Sequence, residues 1–320
     1  CIAVINKMDK DGCNFGRAVE SMRMKLPGAN PIACQMPIFR TGNTLIKDPI
    51  GPNDRLPSNL VAVLPDDVNT PTGEFVGIVD LIHMRAVIWP EGNQGMIENV
   101  ENCIPSVVNL VQPTTHEPIH EDCPITDLAM EARYDFKESL AEIDATIEEY
   151  YLQEEEPSNA ELRSALRRAT LSRRAVPVLA AAALKGKGIE PVLDCIADLL
   201  PSPLDRLPPA LHQIDEYGQK TGRGSDAMTS SKNSSITLGH PRHESLLALA
   251  FKVVHMKGKG SGDGRVVFAR VYSGQLQDRD QLQVITPPAP GDVADKPRTE
   301  RIGGMLELAG GRFDNVEGGV

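Results

Sequence analysis

Cys1-Ile2-Ala3-Val4-Ile5-Asn6-Lys7-Met8-Asp9 opens the chain, and Asn14 to Leu26 follow closely behind it. The apolar run Ile2–Ile5, rich in β-branched residues, predicts a buried strand. Phe15, Val19, Met22 and Leu26 fall on one stripe at helical spacing, so 14–26 predicts a helix. A strand, a short polar loop and a helix place Asn6–Asp9 at the carboxyl end of the strand, where open α/β sheets bind ligands. A buried strand rarely begins a domain with nothing before it, and position 1 is Cys rather than Met. The chain therefore reads as an internal fragment, in which a targeting peptide would not be visible.

Working outward, the Pro- and Gly-bearing stretches 27–37 and 42–71 read as loop and insertion. Phe75–Ile82 and Ala86–Trp89 read as strands, whereas 93–124 is weakly patterned. Between 127 and 168 there are 12 acidic and five basic side chains. Leu128, Tyr134, Leu140, Ile143, Ile147 and Tyr151 keep a helical period there, and 159–170 repeats it. These are amphipathic helices whose acidic outer faces are either simply solvated or turned toward a basic partner protein. Ala175–Ala180 reads as a buried strand, and Gly188–Leu200 as a helix stopped by Pro201-Ser202-Pro203. Residues 1–205 thus show the alternation of strand and helix that marks a parallel sheet. Residues 206–243 read as a linker carrying a polar, low-complexity insertion. From 244 to 320 the pattern is purely β: Leu247–Val254, Arg265–Tyr272 and Leu282–Ile285 alternate between Gly and Asp turns. This predicts a second, barrel-like domain, incomplete at Val320. The fold class is α/β followed by β.

At 320 residues the chain has room for roughly two domains. Its net charge of −11 argues against a general nucleic-acid coat, because phosphate binding needs clustered Lys and Arg. No apolar run approaches the roughly 18 residues that span a bilayer. The six cysteines are scattered without a CxxC pair, which argues against a zinc ribbon or a dense disulfide framework and fits a reducing compartment.

Asn6-Lys7-Met8-Asp9 fits NKxD, and each position has a chemical reason. A carboxylate can accept from both N1–H and the exocyclic amine of guanine, a bidentate charge-assisted pairing that adenine cannot offer. The Asn amide donates toward the N7/O6 side, and the Lys stem lies along the base plane. The bland reading is a polar turn that caps the following helix. A second loop supplies context: Ala180-Ala181-Ala182-Ala183-Leu184-Lys185 follows one predicted strand and precedes a helix. Guanine-binding proteins place Ser-Ala-Leu/Phe-Lys at such a point, with the Ala backbone N–H on guanine O6. Ala182 stands where the serine is usual, which keeps the backbone donor and loses a loop-stabilising hydroxyl. The candidate base-binding residues are therefore Asn6, Lys7, Met8, Asp9, Ala182 and Ala183. Other features take plain readings. Lys257–Gly264 does not fit GxxxxGK[ST] and reads as a hairpin loop. The pairs His116/His120 and His240/His243 lie in unpatterned stretches and predict no metal site. Glu154–Glu156 reads as a helix end, and no nucleophile constellation is arguable.

Taken together, Ile5–Phe15, Lys25-Leu26, Gln35–Ile38, Phe75–Leu81, Lys187-Gly188-Ile189, Leu199–Pro203 and Arg270–Gly274 resemble elongation factor G, a family of translational GTPases. The resemblance spans nearly the whole chain except 42–71 and 218–242. Ala18–Arg23 and Leu247–His255 look most like the mitochondrial branch that releases ribosomes. The resemblance implies that 1–205 is the carboxyl half of a P-loop GTPase G domain. An inserted α+β subdomain would occupy about 35–170, and 244–320 would be a truncated translation-factor β-barrel. It also implies GTP and GDP as ligands, with Mg2+ held by residues outside this stretch. The partners implied are the mitochondrial ribosome, through its large-subunit stalk proteins and ribosomal RNA, and a ribosome recycling factor. No membrane is implied, and the location implied is the mitochondrial matrix. Translocation on elongating ribosomes is the alternative activity, and a non-catalytic ribosome-binding remnant the alternative of another class. These 320 residues contain neither GxxxxGK[ST] nor DxPGH, so GTP hydrolysis is not expected of this stretch by itself.

Overall fold

A computed structural model describes residues 1–42, 44, 46, 49–69, 72–90, 104–206, 212–214, 220–223, 238–256, 264–285, 298–309 and 312–316. In it the chain divides into two compact units, 1–200 and 201–320.

In the first unit the opening apolar run forms β1 (Ala3–Ile5), and α1 (Phe15–Lys25) returns the chain to β2 (Pro31–Ala33). Much later, β8 (Val176–Ala180) enters between them, giving a parallel sheet in the order β1-β8-β2. Val4 pairs with Leu179 and Ile32 with Pro177. The expected parallel sheet is present, yet a larger sheet stands beside it. Its strands are β3 (Gln35–Arg40), β4 (Leu60–Ala62), β5 (Glu74–Asp80), β6 (Arg85–Ile88) and β7 (Ser106–Asn109), antiparallel in the order β4-β3-β5-β6-β7. Three helices follow it, α2 (Pro124–Ala141), α3 (Ala145–Leu152) and α4 (Asn159–Leu171), and α5 (Ile189–Leu199) comes after β8.

Three expectations are corrected here. The stretch 27–37 read as loop holds β2 and the first half of β3, 60–62 is a strand inside the presumed insertion, and the weakly patterned 93–124 contains β7. The reason lies in burial. Along β6, Ala86 and Ile88 face one core cluster with α2 and α4, whereas Val87 and Trp89 face another with Met8, Phe15, Val19 and Ala182. A sheet covered on both faces needs no polar alternation, so β3 is buried at all six positions and shows no period of two. Pro37 is tolerated in β3 because its missing N–H faces the side where the ladder with β4 has ended, beyond the Ile38–Ala62 pair, while its carbonyl there accepts from Val63 N–H at 3.1 Å.

In the second unit, β9 (His212–Ile214) pairs with β10 (Lys220–Arg223) inside the stretch read as a linker, most of which lies outside the described residues. β11 (Leu247–His255) and β12 (Arg265–Ser273) form the predicted antiparallel hairpin, and the loop 257–263 joining them lies outside the described residues. β13 (Gln281–Val284) pairs with β14 (Arg298–Arg301), and β15 (Leu306–Ala309) with β16 (Arg312–Asn315). Phe268 packs between Phe251 and Phe313, tilted against the first and edge-on to the second, with ring centroids 6.2 Å apart in each case. Among the described residues these ladders remain two-stranded and do not close into a barrel. No helix among the described residues is long and apolar enough to cross a membrane.

Candidate functional site

The loops after β1 and β8 meet, because adjacent parallel strands deliver their carboxyl ends to one edge. The Ala181 N–H donates to the Ile5 carbonyl at 3.0 Å, and the Met8 N–H donates to the Ala181 carbonyl at 3.1 Å. Asn6 ties the loops together: its Oδ1 accepts from Lys7 N at 2.7 Å and from Ala183 N at 3.0 Å. Lys7 holds a left-handed φ of 65°, a conformation non-glycine residues rarely take. The bond to the Asn6 side chain holds the turn in that shape. With Oδ1 consumed, Asn6 keeps its Nδ2 amine as the group with donor capacity.

Asp9 is the chemically exposed point of this arrangement, although sterically it is covered. Its side chain is only 3% exposed, and Lys10 Nζ stands 3.3 Å from Oδ2. That same Oδ2 has no hydrogen-bond partner. Buried carboxylate oxygens are normally hydrogen-bonded, since an unmet acceptor loses its water without replacement. A single N–H donor directed at Oδ2 would meet this need. Met8, expected within the binding tetrapeptide, is instead a core anchor. At 1% exposure it packs with Phe15, Val19 and Ala180, so its side chain holds the loop down and does not face a ligand.

The second loop departs from expectation in one respect. The Ala182 N–H donates to the Lys187 carbonyl at 2.9 Å, and the Lys187 N–H returns a bond to the Ala182 carbonyl at 3.3 Å. These bonds close 182–187 upon itself. The Ala183 N–H, expected to face guanine O6, donates to Asn6, so a base oxygen would share that donor with Asn6 or take it over. Gly186 and Gly188, at φ of 70° and 82°, allow the closure. A Cβ at Gly188 would stand 2.7 Å from the Ala180 carbonyl oxygen.

The sequence reading brings together Asn6, Lys7, Asp9, Ala182 and Ala183, and misses the residues that support them. Asn14 caps α1, accepting from Arg17 N at 2.6 Å, while its Nδ2 donates to the Asn69 carbonyl. Its place just before an apolar helical stripe is the available signal. The Cys13 thiol donates to the Met8 carbonyl at 3.0 Å. Burial, reinforced by nearby Asp9, raises its pKa, so it stays a thiol. Gln35 Oε1 accepts from Ala180 N at 3.0 Å, bracing the end of β8. Lys187 is buried, and its Nζ donates to the Phe75 carbonyl at 2.9 Å. Glu156 joins Arg133 at 2.9 Å and Lys137 at 2.5 Å, a structural ion cluster. His120 Nε2 contacts the Asn53 carbonyl at 2.8 Å, and among the described residues no group of three or more His, Cys, Asp or Glu could hold a metal ion.

No protein-family model matches the chain. Over 316 residues, 99% of its length, it is 31% identical to elongation factor G of Petrotoga mobilis. Over 276 residues, 86% of its length, it is 34% identical to elongation factor G of Thermotoga neapolitana and 35% identical to that of Thermotoga petrophila. These alignments take up 34%, 30% and 30% of the relatives, so the chain spans about a third of the length of the curated relatives it matches. Among solved structures, the crystal structure of ttk003000868 from Thermus thermophilus matches with a TM-score of 0.54 at 19% identity. That match covers 100% of this chain and 32% of the other, and at this identity it speaks for the fold alone. From end to end, then, this chain is similar to about one third of elongation factor G.

Proposed function

We propose that residues 1–200 are the guanine-reading part of a translational GTPase that acts on the ribosome. The observation that carries this reading is the Asp9 carboxylate, buried with an unmet oxygen beside a loop that Asn6 straps to Ala183. In this reading Asp9 accepts from the two N–H groups on the guanine edge, Asn6 Nδ2 donates toward N7, and the Ala183 N–H is shared with O6. The Lys7 stem covers the base. The chain's own residues bind and orient the base; the phosphates, the magnesium ion and hydrolysis belong to parts of the polypeptide other than these 320 residues. This stretch by itself is accordingly inactive as a GTPase.

The finer part of the proposal is ribosome release after termination, in the mitochondrial matrix, together with a recycling factor. It is supported by the stretches Ala18–Arg23 and Leu247–His255, which look like the releasing branch of the family. Stalk proteins of the large subunit would meet the acidic helices of 127–168, and ribosomal RNA the β-rich second unit. Splitting of purified mitochondrial ribosomes by the complete polypeptide with recycling factor, compared with its support of translocation, separates release from elongation. Activity in translocation alone would reject release.

The base-reading proposal is tested by Asp9→Asn in the polypeptide encoded by the complete reading frame. Loss of charge-assisted hydrogen bonds costs ~1.5–3 kcal/mol, so GTP affinity should fall about 10- to 100-fold while xanthosine triphosphate gains. Unchanged preference for GTP in a competition assay would show that Asp9 does not read the base.

A further inference from the structure

Lys187 is an unusual residue to find buried, since lysine is almost never fully covered unless it is paired. It is 7% exposed, with its Nζ 2.9 Å from the Phe75 carbonyl oxygen and 3.5 Å from Glu74 Oε1. Phe75 sits where the β3–β5 ladder breaks: Ile38 opposes Gly77 and Phe39 opposes Phe75, so Val76 is an extra residue. At that bulge the antiparallel sheet offers the loop a main-chain acceptor. Glu74 gathers three cations, with Arg40 at 3.0 Å, Lys187 at 3.5 Å and Lys185 at 3.8 Å. Two of the three belong to the loop after β8. The backbone of Lys187 meanwhile closes that loop on Ala182, and the next residue, Ala183, donates to Asn6. A continuous chain of bonds thus runs from the antiparallel sheet through Lys187 to the residues that flank Asp9.

We infer that Lys187 is a positioning residue for the guanine site, a strut by which the antiparallel sheet fixes the 182–187 loop and sets the rate at which a bound guanine nucleotide leaves. The inference rests on the base-reading proposal above and deepens it, because it names what controls release from that site. A ligand held by Asp9 and the Ala183 N–H can depart when that loop lifts. Lifting it pulls a buried ammonium from its carbonyl and carboxylate, which leaves charge unpaired in a poorly solvated place. An event that displaces the sheet around Glu74 reaches the same bonds from the other side.

The test uses the complete polypeptide loaded with fluorescent GDP and chased with unlabelled GDP. Lys187→Met should speed release about tenfold, the worth of a charge-assisted bond, while the association rate moves by less than about twofold. Lys187→Arg, which can still donate to the Phe75 carbonyl, should restore slow release. Glu74→Gln keeps Lys187 and Phe75 in place and should speed release by about threefold. Release unchanged in both Lys187→Met and Glu74→Gln would overturn the strut. If Lys187→Met fails to fold, Glu74→Gln decides alone by the same criterion. The two proposals fail separately. A switch in base preference by Asp9→Asn with unchanged release in the strut variants rejects the strut only. Faster release without a switch rejects base reading by Asp9 and leaves the strut standing.

Discussion

Asp9 and Lys187 show what a single residue can and cannot announce. The place of Asp9 is legible from type and spacing: one carboxylate, three positions after an Asn, in the loop that follows a strand. Lys187 is not, because its partner is a main-chain carbonyl 112 residues away, and no side-chain pattern records a carbonyl. Ala182 lies between these cases. The loss of the usual hydroxyl is legible, but the two backbone bonds to Lys187 that close the loop depend on glycines whose φ values no pattern gives. Gly188 makes this testable. It combines φ of 82° with a neighbouring carbonyl 2.7 Å from any added Cβ, so Gly188→Ala is strained twice over. It should destabilise the first unit by about 1–3 kcal/mol and weaken guanine binding as well. Urea unfolding followed by the fluorescence of Trp89, the single tryptophan, would measure the first effect. An unchanged midpoint would show that the loop relaxes freely.

At the scale of elements, the amphipathic helices and the buried strands β5, β6 and β8, rich in β-branched residues, are readable, whereas β2, β3, β4 and β7 are not. Helices α2, α3 and α4 each turn one face to solvent, and that amphipathic period identifies them. Tyr134 and Tyr151, read on the apolar stripe, are nevertheless exposed, and the outer residues of α4 are mainly Arg163, Arg167 and Arg168 rather than acidic. β3 turns neither face to solvent and contains Pro37, so the two signals that mark a strand, alternation and the absence of proline, are both erased. Helix starts are also legible in principle. Ser158 and Glu161 form a reciprocal cap on α4: Ser158 Oγ accepts from Glu161 N at 3.3 Å, and Glu161 Oε2 from Ser158 N at 2.7 Å. Ser158→Ala should therefore cost about 1 kcal/mol, seen as a lower urea midpoint with unchanged slope. A neutral substitution would mean that packing of Leu162, Ala165 and Leu166 alone fixes the helix start.

For the molecule as a whole, the alternation of strand and helix points to the parallel sheet, and the switch to pure β points to the second unit. The full extent of the antiparallel layer escapes the residue pattern because β5 and β6 are read while its other three strands, β3, β4 and β7, are not. The first unit also holds a set of carboxylates whose folded pKa values are lowered. Burial would raise Asp80, but the His83 hydrogen bond and the charges of His83 and Arg85 outweigh it. Burial likewise opposes Lys137 and Arg133 at Glu156 and is overcome, as it is at Glu74 by Lys187, Arg40 and Lys185. At Asp144 the hydrogen bond from Arg168 leads. Asp135, raised by burial, works in the opposite direction. A carboxyl whose pKa is lower folded than unfolded stabilises fully above its unfolded value, 3.8 for Asp and 4.5 for Glu, and loses that contribution as pH falls through the folded one. The thermal midpoint of the first unit should stay level from neutrality to about pH 5 and fall steeply below it, less steeply in Asp80→Asn. A level curve down to about pH 3 would contradict the ion-pair accounting. The strand order β1-β8-β2 carries one more consequence, and it concerns time. The slot between β1 and β2 is filled by residues 176–180, made long after Ala33 has left the ribosome. At roughly 5–20 residues per second, synthesis leaves that slot vacant for on the order of ten seconds or more. The nascent chain must shield two unsatisfied strand edges throughout, and the meeting of the loops after β1 and β8 cannot form before the antiparallel layer has itself been translated.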